Sequence, residues 1–162
     1  MFYLCSFYGR GRGGVESLLA ALAVVLAVTL AAPPAPAQTG AEDKWVSARQ
    51  EAMRAARAHL RVLEDMAAGA VPHDAKAARR ARKALGEFAG RIPKLFRRAR
   101  MDTVTRARTD IWNDPKGFVA RARGLLLGVK ALRVQNRAAL AESLPGVIGA
   151  CLACHTRFRE PR

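Results

Sequence analysis

Aromatic residues are scarce in this chain, at 6% of 162 residues, although 51% of the residues are hydrophobic. Alanine supplies much of the hydrophobic share, and it favours helix but buries little apolar area. The sequence also has no strand-like alternation of apolar and polar residues and no internal repeat. These absences predict one all-α domain, whose thin core would gain from a large buried apolar group.

Acidic residues are also few. The chain has 13 Asp and Glu against 28 Lys and Arg, which gives a formal net charge of +15. Such an excess suggests an anionic partner, either nucleic acid, an acidic lipid surface or an acidic protein. Nucleic acid would be the first choice for a cytosolic chain. The N-terminal segment argues against that choice.

The N-terminal segment has the pattern of a signal peptide. Arg10 and Arg12 precede an apolar run at 18–32, which is shorter than the ~20 residues that a transmembrane helix needs. Prolines follow the run, and Ala-Pro-Ala at 35–37 matches a cleavage site. We therefore predict an exported protein whose signal peptide is cleaved near Ala37. An uncleaved membrane anchor is the alternative.

Cysteine is rare, with three in the chain. Cys5 precedes the apolar run and would leave with the signal peptide, so the mature protein keeps Cys151 and Cys154. His155 follows directly and completes the C-x-x-C-H signature of c-type haem attachment. Residues three apart share one face of a helix, so both sulfurs can reach one side of a porphyrin. The His155 imidazole then projects towards the iron.

A disulfide, a thioredoxin-like redox pair and a zinc site all fit this motif less well. A disulfide is possible in an exported protein but leaves the histidine unexplained. A thioredoxin-like pair needs a βαβ setting, and a structural zinc site needs four ligands, with only His59 and His73 left as nitrogen donors. We predict one covalent haem c. The chain then divides into a signal peptide, 1–37, and a cytochrome domain, 38–162.

Four amphipathic segments predict the architecture of that domain. Most of the joins are short, although a basic connection at 94–109 is long. We therefore expect an antiparallel four-helix bundle with a C-terminal haem-attachment helix. The expected boundary signals are Gly69 after a first helix at 45–68, Asp74 and Pro93 around a second, Asp114 before a third, and Asn136 before a fourth.

The mature chain resembles the class II c-type cytochromes, the cytochrome c′ and cytochrome c556 family, over roughly 45–159. Its C-x-x-C-H motif is C-terminal, as in that family. The other matching segments are Arg49-Gln50-x-Ala52-Met53, Lys94-Leu95-Phe96, Ile111-Trp112-Asn113-Asp114 with Phe118, and Phe158-Arg159. The resemblance implies a haem bundle with His155 as the proximal ligand.

Met53 occupies the position at which members of this family differ. Cytochromes c′ place a non-ligating apolar residue there and have five-coordinate iron, whereas the c556 type places a methionine ligand there. The resemblance therefore implies that Met53 ligates the iron. A thioether suits haem iron, and His/Met ligation raises the potential. The alternative is that Met53 is a flexible core filler. The resemblance also implies that Arg49 pairs with a haem propionate, against the alternative of a solvated surface arginine.

These observations predict a periplasmic protein that carries single electrons and is not an enzyme. The first alternative is a cytochrome c′-type protein that binds NO or CO. The second is a basic exported module without haem. We expect an acidic redox partner protein, no nucleic acid, and at most peripheral association with a membrane. The sequence leaves a homodimer open.

Overall fold

The computed structural model describes residues 43–161, and the predicted signal peptide, its cleavage site and Cys5 lie outside them. The described residues form five helices and no strand. The helices are α1 (Lys44–Ala68), α2 (Ala75–Leu95), α3 (Asp110–Asn113), α4 (Pro115–Ala131) and α5 (Arg137–Phe158). The four long helices were predicted from the sequence. The one-turn helix α3 lies just before the predicted start of the third.

The four long helices form an antiparallel bundle. Helix α1 packs against α2 and α5, and α4 packs against the same two helices, whereas the diagonal pairs α1–α4 and α2–α5 do not touch. At one end, the Arg137 guanidinium at the start of α5 donates to the carbonyls of Ala67 and Ala68 at the end of α1. The predicted all-α four-helix bundle is therefore confirmed.

The predicted helix boundaries are set by local capping bonds. An Asp74 carboxylate oxygen accepts from the backbone amides of Lys76 and Ala77, at 2.8 and 3.1 Å. Asp114 and Asn136 cap α4 and α5 in the same way, each at 2.9 Å. Gly69 ends α1 in the left-handed conformation, with φ of 77°, which glycine adopts without a steric penalty. Local sequence signals thus define these boundaries.

Internal prolines interrupt neither α2 nor α5. Helix α2 continues past Pro93 to Leu95, and α5 runs unbroken across Pro145. Pro93 cannot donate to the carbonyl four residues earlier, but it lies within the last turn of α2, so only two helical residues follow the disturbed turn. The helix therefore ends within three residues of Pro93 rather than at it.

The two ends of the bundle are built differently. The short-loop end holds the joins 69–74 and 132–136, with Leu63, Leu132 and Leu140 fully buried inside it. The opposite end, which we call the clasp end, holds the long connection 96–109. Its interior contains three phenylalanines in edge-to-face contact, with centroid distances of 5.2 and 5.3 Å, namely Phe96, Phe118 and Phe158. The C-x-x-C-H motif lies in the last two turns of α5, towards the clasp end.

Helix α5 is, among the described residues, the helix long and apolar enough to cross a membrane by length and composition. It packs against α1 and α4 and contributes Leu140, Leu144 and Val147 to the core. Core helices of bundles commonly meet the same criteria. We therefore assign α5 to the bundle.

Candidate haem-binding site

Cys151 and Cys154 lie one turn apart on α5, half-buried, and both pack against the hydrophobic core. Neither forms a disulfide. Burial raises the pKa of both thiols, and the nearby Arg57 guanidinium offsets this in part at Cys151. The two sulfurs thus lie on one helix face at the margin of the core, as attachment to one edge of a flat apolar group requires.

His155 is half-buried beside a cleft of about 420 Å³. The cleft is lined by Arg106, Arg108, His155, Thr156, Arg159, Glu160 and Pro161. Burial lowers the pKa of His155, and the positive charges of Arg159 and Arg106 lower it further. These effects favour the neutral imidazole, which is the form that binds metal.

Met53 is half-buried on α1 and packs against the core. The Arg137 bonds to Ala67 and Ala68 place the start of α5 beside the end of α1. Because the two helices are antiparallel and rise 1.5 Å per residue, equal steps along each helix place Met53 level with the last two turns of α5. Ligation by Met53 stays a prediction.

The other mature methionines are placed less well for that role. Met66 is buried in the core near the end of α1, in the half of the helix that leads to the short-loop end. Met101 lies in the connection, and 49% of its surface is exposed. Of these three residues, Met53 is the one that both packs against the core and lies level with the motif.

Arg49 is the buried charged residue among those described, with 3% of its surface exposed. Its Nε donates to Leu95 O at 3.0 Å and its Nη1 to Arg100 O at 2.8 Å, and Nη2 donates to Arg98 O. The guanidinium also lies 4.9 Å from the Phe96 ring centroid. We call this arrangement the Arg49 clasp. The alternative of a solvated surface arginine is therefore wrong.

The expected Arg49–propionate pair stays a prediction. Three of the five N–H groups of an arginine suffice for the clasp, so the guanidinium keeps donors for a further acceptor. Burial lowers the pKa of Arg49, while Asp43 and Asp102 raise it through their charge. Because arginine stays protonated in proteins, these carboxylates balance the charge of the clasp.

The connection also forms one wall of the His155 cleft. Arg108 N donates to Phe158 O at 3.0 Å, and Glu160 N donates to Arg106 O at 2.8 Å. These bonds join the connection to the segment that follows the haem motif. No function for residues 97–108 follows from the sequence alone, because main-chain acceptors leave no signature. The signal that could have indicated the clasp is an arginine within the apolar stripe of α1.

The alternatives to haem attachment find no support in the described part of the chain. No three or more His, Cys, Asp or Glu side chains there are grouped so that they could hold a metal ion directly. The βαβ setting of a thioredoxin-like pair is also absent from residues 43–161. The donor set at the end of α5 therefore fits a haem, which brings its own four nitrogen ligands.

Comparison with known proteins gives consistent matches. The family model described as Cytochrome C′ matches residues 44–159. The cytochrome c′ of Cereibacter sphaeroides is 32% identical over 146 residues, which cover 86% of this chain and 98% of that protein. The solved cytochrome c′ from Rhodobacter sphaeroides has a TM-score of 0.66 at 30% identity, covering 73% of this chain and 96% of that one.

A solved cytochrome c556 from Rhodopseudomonas palustris has the same fold, with a TM-score of 0.67 at 24% identity, covering 74% of this chain and 98% of that one. The family binds haem c covalently, and Cys151, Cys154 and His155 supply the residues that this requires. The family match spans all four long helices together with the motif. The chain therefore belongs to the cytochrome c′ family and carries haem c.

Proposed function

We propose that this protein is a cytochrome c′-type gas binder with five-coordinate iron. The observation that carries the proposal is that the relative at 32% identity is a cytochrome c′. This favours the gas-binding alternative over the expected low-spin electron carrier. When bound, the haem would supply an iron atom that can bind NO or CO.

The residues of the chain have separable roles in this proposal. Cys151 and Cys154 fix the haem to α5, and His155 supplies a neutral imidazole as the proximal ligand. Met53 contributes an apolar surface on α1 and does not ligate. The Arg49 clasp holds the connection that forms one wall of the His155 cleft.

An absorption spectrum of the mature, haem-loaded protein tests the proposal. We expect a high-spin spectrum in the ferric and ferrous forms and a shift of the ferrous bands on addition of CO. A low-spin spectrum that CO does not alter would contradict it. A protein without haem bands after expression with the attachment machinery would instead support a basic module without haem.

A pair of methionine variants separates gas binding from electron transfer. If Met53 does not ligate, Met53→Leu leaves both the spin state and the CO response unchanged. If Met53 ligates, this variant converts a low-spin spectrum into a CO-responsive high-spin one. Met66→Leu is the matched control, because Met66 lies on the same helix within the core, and it should leave the spectrum unchanged in either case.

The second candidate function is single-electron transfer with His155 and Met53 as axial ligands. The position of Met53, opposite the last two turns of α5, favours this function. An acidic redox partner is then still expected. For either function we propose a periplasmic carrier rather than an enzyme. Cell fractionation and N-terminal sequencing test the location, and we expect the mature chain to begin near Gln38.

A further inference from the structure

The outer face of α2 carries a largely basic surface. Six exposed bases fall within about 120° of arc on this helix and extend for about 27 Å along its axis. The buried face of α2 is on the opposite side and contains Ala81, Leu85 and Ile92. We call the six bases the α2 stripe: Lys76, Arg79, Arg80, Lys83, Arg91 and Lys94.

Few carboxylates oppose the charge of the α2 stripe, although Asp74 at the start of the helix interacts electrostatically with Arg80 and Lys76. Glu87 is the acidic residue on this arc, and its carboxylate lies 3.8 Å from Lys83 Nζ, with both side chains largely exposed. A surface ion pair of this kind contributes little to stability. The other five bases of the stripe form no ion pair within the part of the chain that the structure describes.

The outer face of α1 shows that the fold does not require this imbalance. There the arginines are matched by carboxylates of the same helix, as in the pairs Arg54–Glu51 at 2.8 Å and Arg61–Asp65 at 3.3 Å. Like charges three or four residues apart destabilise a helix, so the α2 stripe costs stability. A surface that costs stability and contributes nothing to the core indicates a partner outside the chain.

The position of the α2 stripe within the bundle restricts the possible role of that partner. Helix α2 is diagonal to α5 in the bundle, and the two helices do not touch. The stripe therefore faces away from Cys151, Cys154 and His155. A partner bound there leaves the haem-bearing side free, which suits an anchoring surface better than a site of electron exchange.

We propose that the α2 stripe docks on the anionic lipid headgroups of a membrane surface. A strip of bases about 27 Å long on one side of a helix suits an extended planar array of phosphates, and each Lys or Arg close to such a surface contributes about 1 kcal/mol. Helix α2 has no large exposed apolar side chain in the described structure, whereas protein interfaces have an apolar or aromatic centre. The association is peripheral and electrostatic, and it does not depend on how the iron is coordinated.

Vesicle sedimentation with the mature, haem-loaded protein tests the proposal. We expect binding to vesicles of equal parts phosphatidylcholine and phosphatidylglycerol at low salt, release at high salt, and no binding to phosphatidylcholine alone. The triple variant Lys76→Gln, Arg80→Gln and Lys94→Gln removes three bases that form no ion pair. It should lower the partition coefficient about 100-fold.

A matched variant separates the stripe from net charge. Lys116→Gln, Arg123→Gln and Lys130→Gln remove three exposed bases from one side of α4, so both triple variants have the same net charge. This control should lower partitioning by no more than about threefold. Equal losses in the two variants would overturn the proposal. Failure of the wild-type protein to bind the anionic vesicles, together with retention on an immobilised acidic polypeptide, would overturn it in favour of a protein partner.

Discussion

The two ends of the bundle are held together by different kinds of interaction. At the short-loop end, the chain reverses direction within a few residues, and Gly69, Asp74 and Asn136 satisfy nearby backbone groups. At the clasp end, a connection of fourteen residues depends on Arg49, which is about fifty residues away in sequence. The short-loop end thus depends mainly on local signals, with a few long-range bonds from Arg82 and Arg137. The clasp end depends mainly on long-range contacts, in which the buried Arg49 side chain makes the largest set of hydrogen bonds.

The largest expected effect comes from removal of the clasp. Arg49→Met leaves three main-chain carbonyls without their donor and should lower the free energy of unfolding by about 4 kcal/mol in urea titrations. Trypsin should then cleave the connection faster than in the wild type, at Arg97 and Arg98. Arg82→Met is the matched control. Arg82 gives the short-loop end one bond, to Leu132 O, so this variant should cost about 1 kcal/mol. If both variants lowered the free energy of unfolding equally, the proposed difference between the two ends of the bundle would be wrong.

A cavity at the short-loop end should have a slightly smaller effect. Leu140 is fully buried, and Leu140→Ala should lower the free energy of unfolding by about 3 kcal/mol. Urea denaturation followed by circular dichroism measures this change. Leu127→Ala removes the same atoms from a side chain that is 59% exposed and should have almost no effect. Rapid tryptic cleavage of the connection in Leu140→Ala under native conditions would show that the two ends are not independent.

Loss of a cap should have a still smaller effect. Asn136→Ala removes the side-chain acceptor of the Ala139 amide at the start of α5 and should cost about 1 kcal/mol. Asn136→Asp keeps a capping oxygen and should restore most of the stability. If both variants are equally unstable in urea, the cap does not contribute as the structure indicates.

The smallest expected effect is on stability at acidic pH. Hydrogen bonds from the Ala77 and Lys76 amides hold the pKa of the Asp74 carboxyl below its ordinary value of 3.8. Because the folded-state pKa is the lower one, this stabilisation is present above the unfolded-state pKa and is lost as pH falls through the folded-state pKa. Asp74→Asn caps the helix without titrating there. Its melting temperature should fall less than that of the wild type between about pH 5 and pH 2. If the melting temperatures of the variant and the wild type fell equally, other carboxylates would account for the acid sensitivity.

Most of the fold follows from local sequence, because helix periodicity and capping residues act within a few positions. The starts of α2, α4 and α5 were predicted at the residues where the structure has them. The extension of α2 by two residues past Pro93 was not, because local sequence rules place the end of a helix at or near an internal proline. The predicted signal peptide stays a prediction.

The candidate site could be predicted in part. The motif at Cys151, Cys154 and His155 combines residue types and spacing that have one common chemical use. Arg49 was indicated by a likeness to family members, and its main-chain acceptors could not be foreseen because carbonyls are present at every residue. Met53 cannot be assigned from its residue type, since a thioether serves equally as a ligand and as a core filler.

Both tryptophans of the chain lie at the clasp end. Trp45 is in the first turn of α1 with the Arg98 guanidinium 4.7 Å from its ring centroid, and Trp112 Nε1 donates to Phe96 O at 2.8 Å. Intrinsic fluorescence therefore samples one half of the molecule. Haem absorbs at the wavelengths at which tryptophan emits, so both indoles should be quenched until the clasp end opens. An unfolding experiment followed by emission alone would miss any earlier loosening of the short-loop end.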